Sequence, residues 1–348
     1  MDDAPLTPES PATEPQEGAN TPDGLVSAAP VTPVAPIDAA TAAPPASGIR
    51  VVFFGPNGLR AAWRLGIFLV IAALVALSLG GLAHLLLSHH LPRRADAFTP
   101  GGVLYGEGVV LLAVLAATAI MGLIEKRSLG EYGLPLRSAL GGWFWWGVLW
   151  GWAALTLLLL TLHWAGAFTF GSLAIHGHSA AQYAGLWALA FLAVGGLEES
   201  LMRGYALHAL TTGMGFWPAA ILLSLIFGSV HLHNPGEDWV GGLAAGLIGL
   251  FFAFTLRRTG VLWFAIGFHA AWDYSESFLY SVPDSGMMAK GHLLNSSFHG
   301  PAWLTGGSVG PEGSYPALAL IGILFVLFAV LYPEARFPSG VSKKSPVA

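Results

Sequence analysis

Repeated apolar runs are the feature that most constrains how this chain can fold. A helix needs about 20 apolar residues to cross the hydrocarbon core of a bilayer. Inside that core every backbone amide must be hydrogen-bonded within the protein, which restricts spanning structures to helices and closed barrels. The chain is therefore predicted to be all-α, a polytopic transmembrane helical bundle of about eight helices. The eight apolar runs are residues 65–87, 109–124, 143–162, 182–210, 217–231, 240–256, 261–280 and 316–331.

The composition agrees with a membrane protein and excludes several classes of function. Of the 348 residues, 54% are hydrophobic and only 10% are charged, whereas soluble domains carry about 25% charged residues. The formal net charge of −5 argues against a nucleic-acid partner. The chain has no cysteine, which excludes disulfides, thiolate metal sites and cysteine nucleophiles. Any bound metal would have to be held by His, Asp or Glu.

The first 48 residues differ from the rest. They contain seven acidic residues and no Lys or Arg, and they are rich in Pro and Ala. No basic segment followed by an apolar one opens the chain, so this stretch is not a signal peptide. Its composition predicts a disordered acidic tail.

The distribution of basic residues predicts the orientation in the membrane. If the eight spans alternate from a cytoplasmic N-terminus, 12 of the 15 Lys and Arg residues lie on the cytoplasmic side, as the positive-inside rule requires. Only Arg93, Arg94 and Lys290 fall on the other side. We therefore expect an integral, multi-pass protein with both termini in the cytoplasm, located in the inner membrane if the source is bacterial.

The fourth run carries two adjacent carboxylates, Glu198 and Glu199, followed by Arg203. Charged residues near bilayer depth cost about 2.5–3.5 kcal/mol each and usually mark a functional site. On a helix Glu199 and Arg203 are four residues apart and share a face, so they can pair. Arg203 would then neutralise Glu199 and leave Glu198 free for chemistry. A plain ion pair that locks helix packing is the alternative for this motif seen alone.

Two further runs carry polar groups. His231 ends the fifth run, and His269 and Asp273 lie four residues apart in the seventh, where they share a helix face. Taken singly, His231 could be an interfacial histidine, and His269 with Asp273 could be a buried hydrogen-bonded pair between helices. Three helices that each supply ionisable groups point instead to a joint site that activates a water molecule.

Two chemistries can activate that water. In the first, Glu198 with His231 removes a proton from water directly, while His269 and the residue at position 273 stabilise the oxyanion. In the second, Glu198, His231 and His269 hold a divalent metal such as zinc, which lowers the pKa of the water. The residues alone leave both open, and no other cofactor is expected. Serine nucleophiles at Ser224, Ser229 or Ser275 lack a clear base and oxyanion context.

The three motifs together resemble the intramembrane CAAX-protease and bacteriocin-processing family, also called the type II CAAX prenyl endopeptidase or Abi family. They are Glu198-Glu199-x-x-x-Arg203, then Phe227-x-x-x-His231, then His269-x-x-x-Asp273. The resemblance covers about residues 129–280, and we take residues 129–282 as the catalytic core. The other predicted regions are the tail (1–48), the first two spans (49–128), and the outer loop, last span and C-terminal tail (283–348).

The resemblance implies hydrolysis of a peptide bond inside a membrane cavity. It implies that Glu198 and His231 activate water, that His269 and residue 273 form the oxyanion hole, and that Arg203 orders the two glutamates. The expected substrate is a peptide or a lipidated protein in the bilayer, and family analogy favours a cavity open to the cytoplasm. The sequence departs from the family at Asp273, where Asn is common. An ionised Asp cannot donate a hydrogen bond to an oxyanion, so Asp273 is protonated, or orients His269, or supports a metal.

Two other functions remain as alternatives. A non-catalytic immunity or scaffold protein could keep the fold and bind a peptide, although the complete set of motif residues argues against it. An ion-coupled transporter could use the same Glu and His residues, but neither an inverted repeat nor a broken helix is evident in the sequence. The oligomeric state is not indicated.

Overall fold

The computed structural model describes residues 48, 52–55, 58–87 and 98–337. Within these ranges each of the eight apolar runs coincides with a helical segment, and the predicted all-α membrane fold is confirmed. The helices that build the fold are α1 (Ala61–Leu87), α2 (Pro100–Glu125), α3 (Gly142–Trp164), α4 (Gly177–Glu199), α5 (Ala206–Met214), α6 (Phe216–His231), α7 (Trp239–Thr259), α8 (Trp263–Asp273), the short α9 (Ala302–Thr305) and α10 (Tyr315–Leu331).

Extended structure is minimal in the described part of the chain. Strands β1 (Phe54–Gly55) and β2 (Gly58–Leu59) form one antiparallel pair, and β3 (Phe168–Thr169) and β4 (Ser297–Phe298) form another. The second pair joins the loop after α3 to the long loop before α10. The predicted acidic tail lies outside the described residues, except for residue 48, and so do residues 338–348. The region boundaries predicted from the sequence stay predictions.

In the described part of the chain, five helical segments are long and apolar enough to cross a membrane, namely α1, α2, α3, the stretch Gly177–Met214 and α7. Helices α6 and α10 are apolar but shorter. Large apolar side chains such as Leu77, Leu85 and Leu123 are more than 70% exposed. So much exposed apolar surface is abnormal for a water-soluble protein and is expected for helices that face lipid.

The fourth run is not one continuous helix, although no broken helix is evident in the sequence. Helix α4 ends at Glu199, a π-helical turn follows at Ser200–Tyr205, and α5 begins at Ala206. Within the turn, Gly204 has a non-helical backbone with ψ of −116°. The physical reason is the glycine, because it lacks a Cβ and tolerates such a conformation. The break redirects the chain just after the Glu-Glu pair.

The seventh run is also a helix that passes into a π-helical turn. Helix α8 ends at Asp273 and passes into a π-helical turn at Tyr274–Leu279. Both π-helical turns therefore start directly after a predicted site carboxylate, Glu199 in one case and Asp273 in the other. Insertions of this kind occur frequently at functional sites.

Close helix packing depends on small residues. A Cβ atom at Gly147 or Gly151 of α3 would overlap backbone atoms of α8, and one at Gly267 of α8 would overlap the backbone of α3. Small residues at such crossings let membrane helices approach closely, which strengthens their van der Waals contact. At Gly195 of α4 a Cβ would lie 3.0 Å from the backbone nitrogen of Ala270. Helix α8 is thus held between α3 and α4, which fixes the position of His269.

The helix ends form two faces of different composition. On one face Arg64 forms an ion pair of 2.6 Å with Glu125. Glu125 also accepts hydrogen bonds from Tyr132 and Tyr205. On the same face the backbone N–H of Arg336 donates a hydrogen bond to the backbone oxygen of Arg257. We call this the basic face, since Lys126, Arg127, Arg137 and Arg258 also lie at these helix ends. The opposite face carries the long loops 165–176, 232–238 and 280–314.

Candidate active site

A cavity of about 500 Å³ opens at the face opposite the basic face. Six helices, namely α2, α4, α6, α7, α8 and α10, and the loop before α10 line it. Four of the predicted site residues line it: Glu198 from α4, His231 from α6, and His269 and Asp273 from α8. Apolar side chains, among them Phe98, Phe191, Phe252 and Trp272, supply much of the remaining wall. The cavity therefore combines an apolar wall with a few polar groups, which is the usual composition of a ligand-binding site.

The two adjacent glutamates have opposite environments. The side chain of Glu198 lines the cavity and is 30% exposed, whereas that of Glu199 is fully buried. The reason is helical geometry, because consecutive residues on a helix are rotated by about 100° from each other. Glu198 can reach solvent in the cavity, and Glu199 points into the protein. Only Glu198 is placed to contact a water molecule or a substrate.

Arg203 holds Glu199 in place. Its Nη1 atom donates a hydrogen bond of 3.1 Å to Oε1 of Glu199, and both side chains are buried. The guanidinium also lies over the ring of Phe227, 4.5 Å from its centre, a favourable cation–π geometry. A Cβ atom at Gly249 of α7 would overlap Nη2 of Arg203, so this glycine leaves the space that the guanidinium fills. The contact matches the pairing expected from the i, i+4 spacing.

His269 links the two glutamates. Its Nδ1 atom lies 3.1 Å from Oε1 of Glu199, and its Nε2 atom lies 3.6 Å from Oε2 of Glu198. A carboxylate is only an acceptor, so Nδ1 must carry the proton in the contact with Glu199. The ring also stacks on Phe252 at 5.5 Å between centres. These contacts fix the ring with its Nε2 edge toward the cavity.

Asp273 lies one turn along α8 from His269. Its Oδ2 atom is 3.5 Å from Nε2 of His269, and its side chain is 10% exposed. The i, i+4 pair therefore faces the cavity together, as the spacing predicts. The contact is long for a hydrogen bond, which leaves Nε2 within reach of both Glu198 and Asp273.

His231 stands apart from this cluster. Its Nδ1 atom donates a hydrogen bond of 2.8 Å to the backbone oxygen of Phe227, which leaves Nε2 as the acceptor. The ring lines the cavity, but within the described chain no carboxylate oxygen lies within 4 Å of its nitrogens. His231 thus shares the cavity with Glu198 without direct contact.

The predicted metal ligands Glu198, His231 and His269 are a suitable chemical set for zinc, which accepts His nitrogen and carboxylate oxygen. Their geometry does not fit. Zinc bonds of about 2.0–2.2 Å place neighbouring ligand atoms within about 3.5 Å of one another. These three residues do not bring their ligand atoms within 4.8 Å of one another as a group. In this arrangement the three residues do not form a zinc site.

Several cavity residues are missed by the sequence motifs. They are carboxylates from other parts of the chain: Glu107, Glu237, Asp284 and Glu312. Burial, followed by repulsion from Glu312, raises the pKa of Glu237 from 4.5 to about 7. The one sequence signal that could have identified such a residue is an acidic residue inside or beside an apolar run, and Glu107 is an example. Nothing in the sequence shows that the loop carboxylates reach the cavity.

Comparison with known proteins gives one match. Residues 180–275 match the model of the family described as type II CAAX prenyl endopeptidase Rce1-like. No curated protein and no solved structure matches the chain. The matched residues extend from α4 to the π-helical turn after α8 and contain all six predicted site residues. Residues 180–275 are therefore similar to the type II CAAX prenyl endopeptidase family, the family that the three motifs resemble.

Proposed function

We propose that the protein is an intramembrane endopeptidase in which Glu198 activates the attacking water. The observation that carries the proposal is the difference between two neighbouring carboxylates. Glu198 is exposed to the cavity, and Glu199 is buried against Arg203 and His269. One carboxylate is free to exchange a proton with water, and the other is used to hold the site together.

Each step of the proposed reaction uses a group with a suitable position. Glu198 removes a proton from water, and the resulting hydroxide attacks the carbonyl carbon of the peptide bond. His269 and Asp273, side by side on the cavity wall, face the oxyanion that forms. To donate from Nε2, His269 must carry a proton there as well as on Nδ1, and Asp273 must carry its own. Glu198 then returns its proton to the leaving amine.

His231 has a different place in this scheme. Its Nε2 atom is an acceptor and faces the same cavity as Glu198. A water molecule between the two side chains would have two acceptors to hold it. His231 then orients the water, while Glu198 takes the proton.

The substrate of this proposal is a peptide segment in or at the membrane. The apolar cavity wall and the lipid-facing helices suit an extended segment with apolar side chains or an attached lipid. The cavity of about 500 Å³ has room for only a few residues, since ligand sites of 300–1,000 Å³ hold ligands of roughly drug size. We expect cleavage near a chain end or in an unfolded segment.

The proposed orientation places the cavity mouth away from the cytoplasm. The mouth lies opposite the basic face, and basic residues mark the cytoplasmic side. This differs from the cytoplasmic opening that family analogy favours. Because the chain has no cysteine, single-cysteine labelling can decide. We expect an impermeant maleimide to label Met288→Cys on intact cells and Leu136→Cys only after permeabilisation. The reverse pattern would disprove this orientation.

The cleavage experiment uses the purified protein in lipid nanodiscs with a peptide pool that includes a prenylated CAAX peptide, read by mass spectrometry. Glu198→Gln is the test variant. Glu334→Gln is the matched control, because Glu334 is 80% exposed and follows α10 on the basic face, away from the cavity. Cleavage by the wild type and control that is lost in Glu198→Gln supports the proposal. Equal cleavage by all three would reject the role of Glu198.

The same preparation tests the two alternatives. A non-catalytic binding protein would retain a peptide from the pool without cutting it, and Glu198→Gln would not change the retained amount. A transporter would carry ions across proteoliposomes, and the broken helix at Gly204 gives this test a structural reason. Flux that depends on Glu198, without cleavage, would replace the proposed activity with transport.

A further inference from the structure

A second group of carboxylates lies beside the cavity and outside the proposed catalytic set. Glu276, Asp284 and Glu312 place one carboxylate oxygen each within 4.8 Å of one another. Glu276 belongs to the π-helical turn after α8, Asp284 to the loop that follows, and Glu312 to the 3-10 helix Pro311–Gly313 before α10. Three separate segments thus converge on one point.

Glu276 is the informative member of this group. Its side chain is fully buried. It contacts the indole of Trp272, yet within the described residues neither carboxylate oxygen has a hydrogen-bond partner of regular geometry. A buried carboxylate is normally paired or bound to a metal, because an isolated buried charge is very unfavourable. Because no cation of the described residues pairs with these two oxygens, they point to a ligand that is positively charged.

No Lys or Arg among the described residues supplies that charge. Among the described residues, no Lys or Arg nitrogen forms an ion pair with Glu276, Asp284 or Glu312. Two more carboxylates, Asp273 and Glu237, act electrostatically on members of the group. The described residues therefore place more negative than positive charge around these three carboxylates.

The other two carboxylates are already oriented. Ser277 donates a hydrogen bond of 2.8 Å to Oδ2 of Asp284. The backbone and hydroxyl of Ser285 donate bonds of 2.7 and 2.8 Å to Oε1 of Glu312. Hydrogen bonds of this type fix the carboxylates that bind metals. Close packing of Gly310, whose φ is +118°, also holds this loop against Pro283 and Glu276.

We propose that Glu276, Asp284 and Glu312 bind a divalent cation, with calcium as the preferred ion. An all-oxygen set selects hard cations over zinc or copper. Calcium accepts six to eight oxygens in irregular geometry, whereas magnesium requires a regular octahedron and retains its waters. Residues from three separate segments suit the tolerant ion better. On the orientation proposed above, the site faces outward, where calcium-binding modules have a Kd on the order of 10⁻⁴–10⁻³ M.

The position of the site gives the cation a structural task. Glu276 is in the turn that continues α8, the helix that carries His269 and Asp273, and Asp284 and Glu312 line the cavity. A bound cation would tie the loop at the cavity mouth to the helix that carries half of the catalytic groups. It would also reduce the repulsion among the carboxylates at the mouth.

The test measures calcium binding to the full chain in nanodiscs by isothermal titration and by thermal unfolding, after treatment with a chelator. The variants are Glu276→Gln and Asp284→Asn, with Glu334→Gln as the matched control. We expect saturable binding and a higher Tm with calcium for the wild type and control, and at least tenfold weaker binding for both test variants. Magnesium at the same concentration should give a smaller shift.

Protonation of Glu276 would also remove its charge, and this alternative predicts a different result from calcium binding. In that case calcium would not bind saturably and would shift Tm no more than sodium chloride of equal ionic strength. The same shift in the wild type and in Glu276→Gln would also overturn the site. Glu276→Gln keeps the shape of the side chain and removes a buried charge, so we expect it to fold and to be at least as stable without calcium. Neither readout depends on peptide cleavage.

Discussion

Oε1 of Glu199 is shared by His269 and Arg203, with Nδ1 of His269 3.1 Å away and Nη1 of Arg203 also 3.1 Å away. This oxygen connects the first motif to the third, from α4 to α8. Glu198, which precedes Glu199 in the chain, takes part in neither hydrogen bond and faces the cavity. Stability and chemistry are thus divided between two adjacent carboxylates, and mutations can separate them.

Glu198→Gln should remove activity and leave stability unchanged. Glutamine has nearly the same shape but cannot accept the proton of water, and loss of a general base costs about 10²–10⁴-fold in rate. Glu198 is partly exposed and its contact with His269 is 3.6 Å, so little stabilising interaction is lost. Cleavage rate and Tm are the two measurements. A large fall in Tm would contradict the assignment.

Arg203→Met should destabilise the protein because it leaves the fully buried Glu199 without its cation. Removal of one partner from a buried ion pair costs about 3–5 kcal/mol. Methionine keeps much of the length and can fill the space beside Gly249. The double variant Glu199→Gln/Arg203→Met should recover part of the loss, which a double-mutant cycle in denaturant would measure. Additive losses would mean that the pair is not coupled.

Asp273→Asn should retain cleavage. Asparagine always has an N–H to donate, so it can serve an oxyanion without first binding a proton. The measurement is kcat over a pH range, compared with Asp273→Ala as a variant without a donor. Equal loss in the two variants would mean that the carboxylate itself is required, for example to orient His269.

Gly249→Ala should lower both stability and activity. The added Cβ would overlap the Arg203 guanidinium and would lie 3.2 Å from the ring of Phe227. Overpacking of this kind costs about 1–3 kcal/mol, and it would displace the group that holds Glu199. Gly322→Ala is the control, since a Cβ there meets nothing within 4 Å and alanine favours helix. Equal Tm values for both variants would show that the space at Gly249 is not needed.

The contribution of Glu237 to stability should fall as the pH rises from about 4.5 to about 7. Its pKa in the folded protein is raised from 4.5 to about 7, first by burial and then by Glu312. The folded state therefore binds the proton more tightly, and this contribution is lost as pH rises through the folded-state pKa. In buffer with a chelator, Glu237→Gln should show a smaller drop in Tm over this range. An unchanged drop would contradict the shift.

Much of the fold follows from the sequence alone. Runs of about 20 apolar residues can satisfy their backbone in a bilayer only as helices or closed barrels, so the eight helical segments were predictable. The pairing of Glu199 with Arg203 and of His269 with Asp273 was also predictable, because residues four apart share a helix face. Local geometry decides these features, and local geometry is what spacing reports.

Only the tertiary structure decided which helix faces meet. The contact between Glu199 and His269 joins residues 70 positions apart, and it depends on the close approach of α4 and α8 at Gly195. The separation of His231 from the carboxylates, the break at Gly204 and the arrival of Asp284 and Glu312 at the cavity are of the same kind. Helices that are apolar on all sides do not show in their sequence which face is turned inward. That choice depends on how distant side chains fit together, and it is made when the helices pack.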